Sequence, residues 1–248
     1  MSQKRSTPLQ TLPIEKHHCT VEVRLEKLGM VPFFRSLDAE ALQDVTMKFS
    51  SSHYSSGDTV YTEGEKATLL RVVVYGAVKL IRNTEDGKEI LVDMLKPGEY
   101  FGSLNNPGND TYTETAAAQS DACILSVGNR EFRSVLNAHP AVAVDLLDNT
   151  AQKLNAAREH IHHLTSLPVE KRIAHILKKL CDKFGEHNKG GVLLQLPLSR
   201  RDLAGMAGTS TETASRIMSR FHHDGIITTG RKWVAITDTD ALSEVLSG

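Results

Sequence analysis

Short apolar runs separated by glycines fill the chain between residues 49 and 127. Runs of this kind, bounded by turn residues, are typical of β-strands. They predict strands at residues 58–61, 69–74, 77–82, 89–95 and 122–127, with a hairpin turn at Glu85-Asp86-Gly87-Lys88. Many short strands with regular turns indicate a barrel or a sandwich.

A short helical pattern precedes the strands. Leu37, Leu42 and Val45 fall near helical spacing, and Ser36 or Asp38 is suited to cap the helix. The polar residues 1–20 are predicted to form a flexible tail.

A long helical pattern follows the strands. Pro140 suits its first turn, and Pro168 lies just beyond its end. Within it, spacings of four and three alternate at Ala143, Leu147, Thr150, Leu154, Ala157, Ile161 and Leu164. This is the pattern of a coiled-coil seam. Packing against the chain's own strands is the alternative, but the strict alternation and modest side chains favour a dimer seam.

The last part of the chain combines helices with short strands. An amphipathic helix is predicted at Val169–Phe184, followed by a Gly190-Gly191 turn and a strand at residues 192–196. Two short helices at residues 200–207 and 211–223 come next, and strands at residues 226–229 and 233–236 form a closing hairpin.

Composition and charge narrow the class of protein. The chain has 248 residues, enough for two domains, and a net charge of −1. Residues 168–248 contain 12 Lys and Arg against 9 Asp and Glu, a net of +3, which leaves −4 for the remainder. A nucleic-acid surface is therefore expected in the C-terminal part.

No apolar run approaches the ~18 residues of a membrane span, and residues 1–20 lack the apolar segment of a secretory signal. The three cysteines, Cys19, Cys123 and Cys181, form no CxxC pair. We therefore expect a cytoplasmic protein without membrane contact.

The stretch from Ser199 to Phe221 has the features of a helix-turn-helix. Ser199 and Asp202 suit a capping box, and Gly208 permits a sharp turn between the helices. Leu203, Ala204, Ala214 and Ile217 are apolar where two crossing helices must pack. The hairpin that follows would add a wing.

Three residues of the second helix suit base recognition. Glu212, Ser215 and Arg216 share one face near its N-terminal end. Arginine donates two bonds to guanine, glutamate accepts from cytosine, and serine reaches an adjacent base. A capping box of Glu212 with Thr209, and a phosphate or solvent role for Arg216, are the alternatives. The predicted phosphate contacts are Arg200, Arg201, Ser210, Thr211, Thr213, Arg220 and Lys232.

From about residue 25 the chain resembles the Crp/Fnr family of bacterial transcription regulators. The resemblance is carried by residues 54–65 with 74–80, by the turn at residues 85–89 leading to residues 95–102, and by the helix-turn-helix. It implies an α+β fold with four parts: a tail (1–20), a β-roll sensor of the cyclic-nucleotide-binding type (21–138), a dimerisation helix (139–167) and a winged helix-turn-helix (168–248). It also implies contact with RNA polymerase through the turn at residues 84–89, and hence an activator.

The recognition pattern resembles the Fnr branch, with Glu212, Ser215 and Arg216 in its Glu-x-x-Ser-Arg arrangement. It implies inverted half-sites of the TTGAT type. In the cyclic-AMP branch, glycine usually replaces the serine and arginine stands at the position of Thr211.

The sensor departs from both branches. Ser103 replaces a glutamate of the cyclic-nucleotide site, and Glu114 stands where an arginine would hold the phosphate. Its charge would repel a phosphate, so we do not expect cyclic AMP as effector. The clustered cysteines of the Fnr oxygen sensor are also missing.

Three interpretations of the sensor cysteines stay open. In the first, Cys19 lies in a mobile tail and Cys123 is a half-buried strand residue. The second is a Cys19–Cys123 thiol–disulfide pair, and the third is a cluster or haem with ligands such as His17 and His18. No observation supports the cluster or the haem. The pairs His160/His163 and His222/His223 are interpreted as surface residues rather than metal ligands.

No recognisable catalytic motif occurs, so an enzyme is not expected. Two alternatives to a signal-controlled regulator stay open. One is a small-molecule-binding module whose helix-turn-helix contacts only proteins. The other is a family member that has no effector and is controlled by its abundance.

Overall fold

The computed structural model describes residues 19–84, 89–104, 110–188, 190–194, 196–230 and 233–247. Its contacts divide the described residues into two units: the first comprises residues 19–84 and 93–159, and the second comprises residues 89–92 and those from 160 on. The finer division into four parts stays a prediction. None of the described helices is long and apolar enough to cross a membrane.

Between residues 50 and 128, eight strands of the described part of the chain form two sheets. In chain order they are β1 (Ser50–Tyr54), β2 (Thr59–Tyr61), β3 (Leu69–Tyr75), β4 (Val78–Asn83), β5 (Glu89–Leu95), β6 (Tyr100–Gly102), β7 (Thr115–Ala118) and β8 (Ala122–Gly128). One sheet has the order β1-β8-β3-β6 and the other β2-β7-β4-β5. The five predicted strands are confirmed with small shifts at their ends. The predicted turn at residues 85–88 lies outside the described residues.

Strand β3 separates two apolar cores. Leu70, Val72 and Val74 face a cluster shared with helices, whereas Val73 faces the space between the two sheets. This alternation follows from the two-residue period of a strand. Arg71 lies on the same side as Val73, between the sheets, and only 7% of its surface is exposed.

Short helices cover the outer face of the first sheet. They are α1 (Val21–Met30), a 3₁₀ turn (Pro32–Phe34), α2 (Ala39–Met47) and α3 (Asn129–Ala138). Asp38, one of the two predicted caps, caps α2 by accepting a hydrogen bond from the Ala41 N–H at 2.8 Å. Phe33 packs edge-to-face on both Phe34 and Tyr100, which joins these helices to β6.

The long helix α4 (Pro140–Ser166) presents two different stripes. Val142 is buried and Leu146 is partly buried against the helix-side core, while Asn149 accepts a hydrogen bond from the Tyr100 hydroxyl at 2.8 Å. The predicted seam lies one residue further along. Its Leu147, Leu154 and Ile161 are 68%, 51% and 60% exposed. The stripe that packs on the β-roll is therefore not the seam.

The second unit contains the rest of the chain. Its elements are α5 (Val169–Phe184), β9 (Gly185–Asn188), β10 (Gly191–Leu194), α6 (Arg200–Met206), α7 (Thr211–His223), β11 (Ile227–Gly230), β12 (Trp233–Ile236) and α8 (Thr239–Ser247). The strands form one sheet in the order β11-β12-β10-β9. The predicted helices are confirmed, while β9 and α8 had not been predicted.

Candidate nucleic-acid interface and sensor interior

Helix α6 begins with the predicted capping box. The Ser199 hydroxyl accepts a hydrogen bond from the Asp202 N–H at 3.1 Å, and the Asp202 carboxylate accepts one from the Ser199 N–H at 2.9 Å. Two donors at the start of the helix, the Ser199 and Asp202 N–H groups, are thereby satisfied. Leu203, Ala204 and Met206 are buried and hold the helix in the domain core.

A sharp turn connects α6 to α7. Gly208 has φ +57°, in the left-handed region that favours glycine. The Thr209 N–H donates to the Ala204 carbonyl at 3.0 Å. A side chain at Gly208 would also come within 3.3 Å of Leu164 and 3.4 Å of Arg172, so glycine fits this position in two respects.

Ser210 is the cap of α7. Its hydroxyl accepts a hydrogen bond from the Thr213 N–H at 3.1 Å. The alternative capping box between Thr209 and Glu212 is therefore not the arrangement in the structure. The Glu212 carboxylate is exposed in the first helical turn, where the helix dipole favours a negative charge.

The three predicted base readers occupy the outer side of α7. Glu212 and Arg216 are exposed and Ser215 is half-buried. The opposite side of the helix is buried by Ala214, Ile217, Met218 and Phe221. The helix is thus held from one side and leaves the other available to a groove of DNA.

The predicted phosphate contacts fall into different environments. Arg201, Ser210 and Thr211 are exposed, and Thr213 is half-buried beside the Ser210 cap. Lys232 lies outside the described residues.

Two of the predicted phosphate-binding arginines already have partners. The Arg220 guanidinium forms an ion pair with the Glu170 carboxylate of α5. Arg200 is partly buried, and its guanidinium donates to the Thr229 hydroxyl at 3.0 Å. Burial lowers the pKa of Arg200. Thr229 in turn donates to the Trp233 carbonyl at 3.1 Å, so Arg200 links α6 to the β11–β12 hairpin.

The interior of the β-roll contains a polar group that the sequence analysis did not single out. Arg71 donates through Nη1 to the Tyr112 hydroxyl at 2.5 Å. The rings of Tyr112 and Tyr61 stack with centroids 3.7 Å apart. The Tyr61 hydroxyl donates to Glu114 at 3.2 Å. Burial, with the neighbouring Glu114 carboxylate, strongly raises the pKa of Tyr61.

The two sensor positions named in the sequence analysis lie near this group. Ser103 is buried and accepts a hydrogen bond from the Asn129 amide at 3.2 Å. Glu114 is half-buried at the edge of the tyrosine stack. Gly102 precedes Ser103 with φ +89°, and a side chain there would collide with the Leu69 carbonyl.

Cys19 and Cys123 are joined by a disulfide bond, with their Cα atoms 6.8 Å apart. Cys123 is fully buried in the helix-side core, so its interpretation as a half-buried strand residue is wrong; β8 is a central strand, covered on both sides by β1 and β3. Cys19 directly precedes Thr20, the cap of α1, and is half-buried. His17 and His18 lie outside the described residues.

Three histidines of the described ranges have ring or backbone contacts. The His163 and His175 rings stack with centroids 4.2 Å apart. His222 Nδ1 lies 3.0 Å from the Ile227 carbonyl, a donor position. Within the residues that the structure describes, no group of three or more histidine, cysteine or carboxylate side chains is arranged to hold a metal.

Comparisons with known proteins agree with this architecture. Residues 51–139 match the model of a cyclic nucleotide-binding domain, and residues 171–245 match a Crp-like helix-turn-helix domain. The chain is 30% identical over 213 residues to the transcriptional activator protein FnrL of Cereibacter sphaeroides, covering 84% of each chain. It is 28% identical over 220 residues to a CRP-like cAMP-activated global transcriptional regulator of Mycobacterium tuberculosis, covering 88% of this chain and 97% of that one.

A solved structure shares the fold. FixK2 from Bradyrhizobium japonicum superposes with a TM-score of 0.70 at 25% identity, covering 79% of this chain and 96% of that one.

A β-roll of the cyclic-nucleotide-binding type, a long helix and a winged helix-turn-helix define a DNA-binding transcription regulator. The chain belongs to the Crp/Fnr family. Members of this family regulate transcription and are not enzymes.

Proposed function

We propose that this regulator binds, as a homodimer, an inverted repeat with TTGAT-like half-sites. The observation that carries the proposal is the outer side of α7, where Glu212 and Arg216 are exposed beside the half-buried Ser215. Arginine and glutamate together suit one G·C pair, and serine suits a neighbouring base pair.

The phosphate contacts surround this face. Exposed Arg201 and Thr211 belong to α6 and to the first turn of α7, and Ser210 caps the same turn. We assign Arg200, Thr213, Arg220 and Lys232 to the same group. For Arg220, binding of a phosphate requires exchange of the Glu170 carboxylate for the DNA backbone.

Dimerisation is proposed to bury the seam of α4. Leu147, Leu154 and Ile161 are large apolar side chains that remain more than half exposed in the single chain. A second copy of α4 would cover them in the manner of a coiled coil. Two recognition helices would then meet half-sites whose centres lie about 10 base pairs apart.

Fluorescence anisotropy with labelled duplexes tests the DNA-binding proposal. We expect the full-length protein to bind a TTGAT palindrome at least about 1,000-fold more tightly than a scrambled duplex at physiological salt. Equal affinity for the two duplexes would contradict sequence-specific recognition. Absence of any salt-dependent binding would favour a helix-turn-helix that contacts only proteins.

The sensor is proposed not to use cyclic AMP, although several relatives are named for it. Glu114 stands at the position where an arginine would hold the cyclic phosphate, and its half-buried carboxylate would repel a phosphate bound there. Ser103 is already hydrogen-bonded to Asn129. Cyclic AMP is expected neither to raise the melting temperature nor to change DNA affinity; an effect on either would contradict this.

The Cys19–Cys123 bond is proposed as a redox control of DNA binding. Its reduction takes two electrons and two protons from a dithiol reductant, breaks the S–S bond and leaves two thiols. The bond closes 104 residues of chain, and it fastens the start of α1 to the core around Cys123. Reduction releases this attachment.

DNA affinity of the oxidised and dithiothreitol-reduced protein tests the redox proposal. The affinity is expected to change on reduction in the wild type and in Cys181→Ser, but not in Cys19→Ser or Cys123→Ser. An effect that persists in the last two variants, or no effect in the wild type, would contradict it.

Contact with RNA polymerase is proposed for the turn at residues 84–89, of which residues 85–88 lie outside the described ranges. The support is the resemblance of this turn to that of the family. Charge reversal at Lys88 is expected to lower transcription in a purified system without changing DNA affinity. Unchanged transcription would contradict the contact.

A further inference from the structure

Between the two sheets of the β-roll lies a charged side chain that forms no ion pair with a described residue. Arg71 stands in the middle of the apolar strand β3, and 93% of its surface is buried. A buried guanidinium is costly unless an anion compensates its charge. In the part of the chain that the structure describes, no carboxylate forms an ion pair with Arg71.

Among the described residues, the guanidinium has a hydrogen-bond partner at Nη1 and none at Nε. Nη1 donates to the Tyr112 hydroxyl at 2.5 Å. Nε is buried and has no hydrogen-bond partner among the described residues. Nε and Nη2 form the edge of the guanidinium that binds two adjacent oxygen atoms in parallel. This edge is therefore available to a bidentate acceptor.

The surrounding side chains keep the arginine in place. Its central carbon lies 4.9 Å from the Tyr61 ring centroid and 5.3 Å from that of Tyr112. Because the two rings stack 3.7 Å apart, the guanidinium lies beside the pair rather than between the rings. Tyr61 also stacks on Phe101, so the environment is aromatic.

The carboxylate of this cluster does not neutralise Arg71 directly. Glu114 accepts hydrogen bonds from the Tyr61 and Thr113 hydroxyls instead. The backbone at Gly102 passes close to the guanidinium on its Nη1 side, since a side chain built there would come within 3.5 Å of Nη1.

We propose that Arg71 is the anchor of a binding site for a small anion with two adjacent oxygen atoms, a carboxylate or a phosphate, inside the β-roll. The Nε–Nη2 edge would bind the oxygens, and the rings of Tyr61 and Phe101 would contact the body of the ligand. The bound anion would be the effector of the regulator proposed above. Only the effect of the anion on DNA binding rests on that proposed function.

The melting temperature of the full-length protein tests the site. It is measured with benzoate as the carboxylate and with inorganic phosphate as the alternative anion. Potassium chloride at matched ionic strength is the reference. At about a hundredfold excess over Kd, the effective anion is expected to raise the melting temperature by about 5–10 °C. A rise with benzoate alone identifies a carboxylate, and a rise with phosphate alone identifies a phosphate. No rise with either anion would overturn the proposal.

Variants locate the effect. Arg71→Met retains the length of the side chain without its charge and is expected to abolish the rise. The control Arg82→Met removes an exposed arginine of β4 and is expected to retain it. Persistence of the rise in Arg71→Met would overturn the proposal. The proposal would also be overturned if Arg71→Met melted at a lower temperature while the wild type showed no response to either anion. Arg71 would then be a structural residue.

Calorimetric titration keeps the test decisive if Arg71→Met does not fold. Arg71→Lys keeps the charge but loses the bidentate edge, so the affinity for the effective anion is expected to fall at least about tenfold. Unchanged affinity would overturn the proposal. Anion binding without any DNA binding would contradict the proposed function instead, whereas DNA binding without anion binding would contradict only this site.

Discussion

The Ser210 hydroxyl accepts a hydrogen bond from the Thr213 N–H, and this single contact leaves the Glu212 carboxylate exposed on α7. A capping residue two positions before Glu212 satisfies the helix terminus without using its side chain. The glutamate can therefore take part in base recognition.

Removal of this cap tests its contribution to the domain. Ser210→Ala is expected to lower the free energy of unfolding by about 1 kcal/mol, because an N–H of the first turn loses its acceptor. Ser219→Ala changes an exposed serine in the interior of the same helix and is the control. Urea unfolding measures both, and an equal effect of the two changes would contradict the assignment of the cap.

The ion pair between Arg220 and Glu170 is expected to restrain binding to DNA of any sequence. In Glu170→Gln, Arg220 loses its partner and becomes available to a phosphate, so non-specific affinity is expected to rise. The slope of log K against log salt is expected to steepen by up to about 0.9. Anisotropy titrations between about 50 and 200 mM salt measure this slope. Glu170→Gln combined with Arg220→Ala is the control, and a rise that persists in it would contradict the explanation.

The apolar seam of α4 is expected to be the dimer interface. Leu154→Glu would place two carboxylates opposite each other in a desolvated contact, so sedimentation is expected to show monomers. Gln152→Glu adds the same charge on the other side of the helix and is expected to leave the dimer intact. A dimeric Leu154→Glu protein would contradict the seam.

Cys181 is expected to make stability fall at alkaline pH. Burial, with the neighbouring Asp182, raises the pKa of its thiol from the ordinary value of 9.0 to about 12. The unfolded chain therefore loses this proton first, and the contribution to stability, present below about pH 9, is lost as the pH rises toward 12. Urea unfolding at about pH 7 and about pH 10.5 is expected to show a smaller alkaline loss in Cys181→Ala than in the wild type. Equal losses would contradict this.

Features with a local cause could be predicted from the sequence. The Ser199–Asp202 capping box and the Asp38 cap depend on residues three positions apart, and both are confirmed. The apolar stripe of α4 was visible in the sequence because a helix repeats its faces every seven residues or so; its role as a dimer seam stays a prediction. The wing and its preceding helices followed from turn residues and apolar spacing.

Features that depend on distant parts of the chain were not predictable in the same way. Arg220 pairs with Glu170, which lies 50 positions earlier in the sequence. The polar strand β1 was missed because it is an edge strand and most of it is exposed. The burial of Cys123 depends on the two strands that pair with β8, β1 and β3, which come from other parts of the chain.

Arg71 did leave a signal in the sequence. It interrupts the apolar run Leu69–Tyr75. Because residues two positions apart face the same side of a strand, it faces the same side of the sheet as Val73. What the run could not show is that Tyr112, 41 residues later, would take only one edge of the guanidinium.

The most direct test of the account measures the coupling between Arg216 and the G·C pair of the half-site. Wild type and Arg216→Ala are titrated with a TTGAT palindrome and with the same duplex carrying A·T in place of that G·C pair. We predict that the wild type prefers the G·C duplex by about 1–3 kcal/mol and that Arg216→Ala loses this preference. Arg201→Ala and Lys232→Ala are expected to weaken binding to both duplexes equally and to keep the preference. An unchanged preference in Arg216→Ala would contradict base recognition by α7.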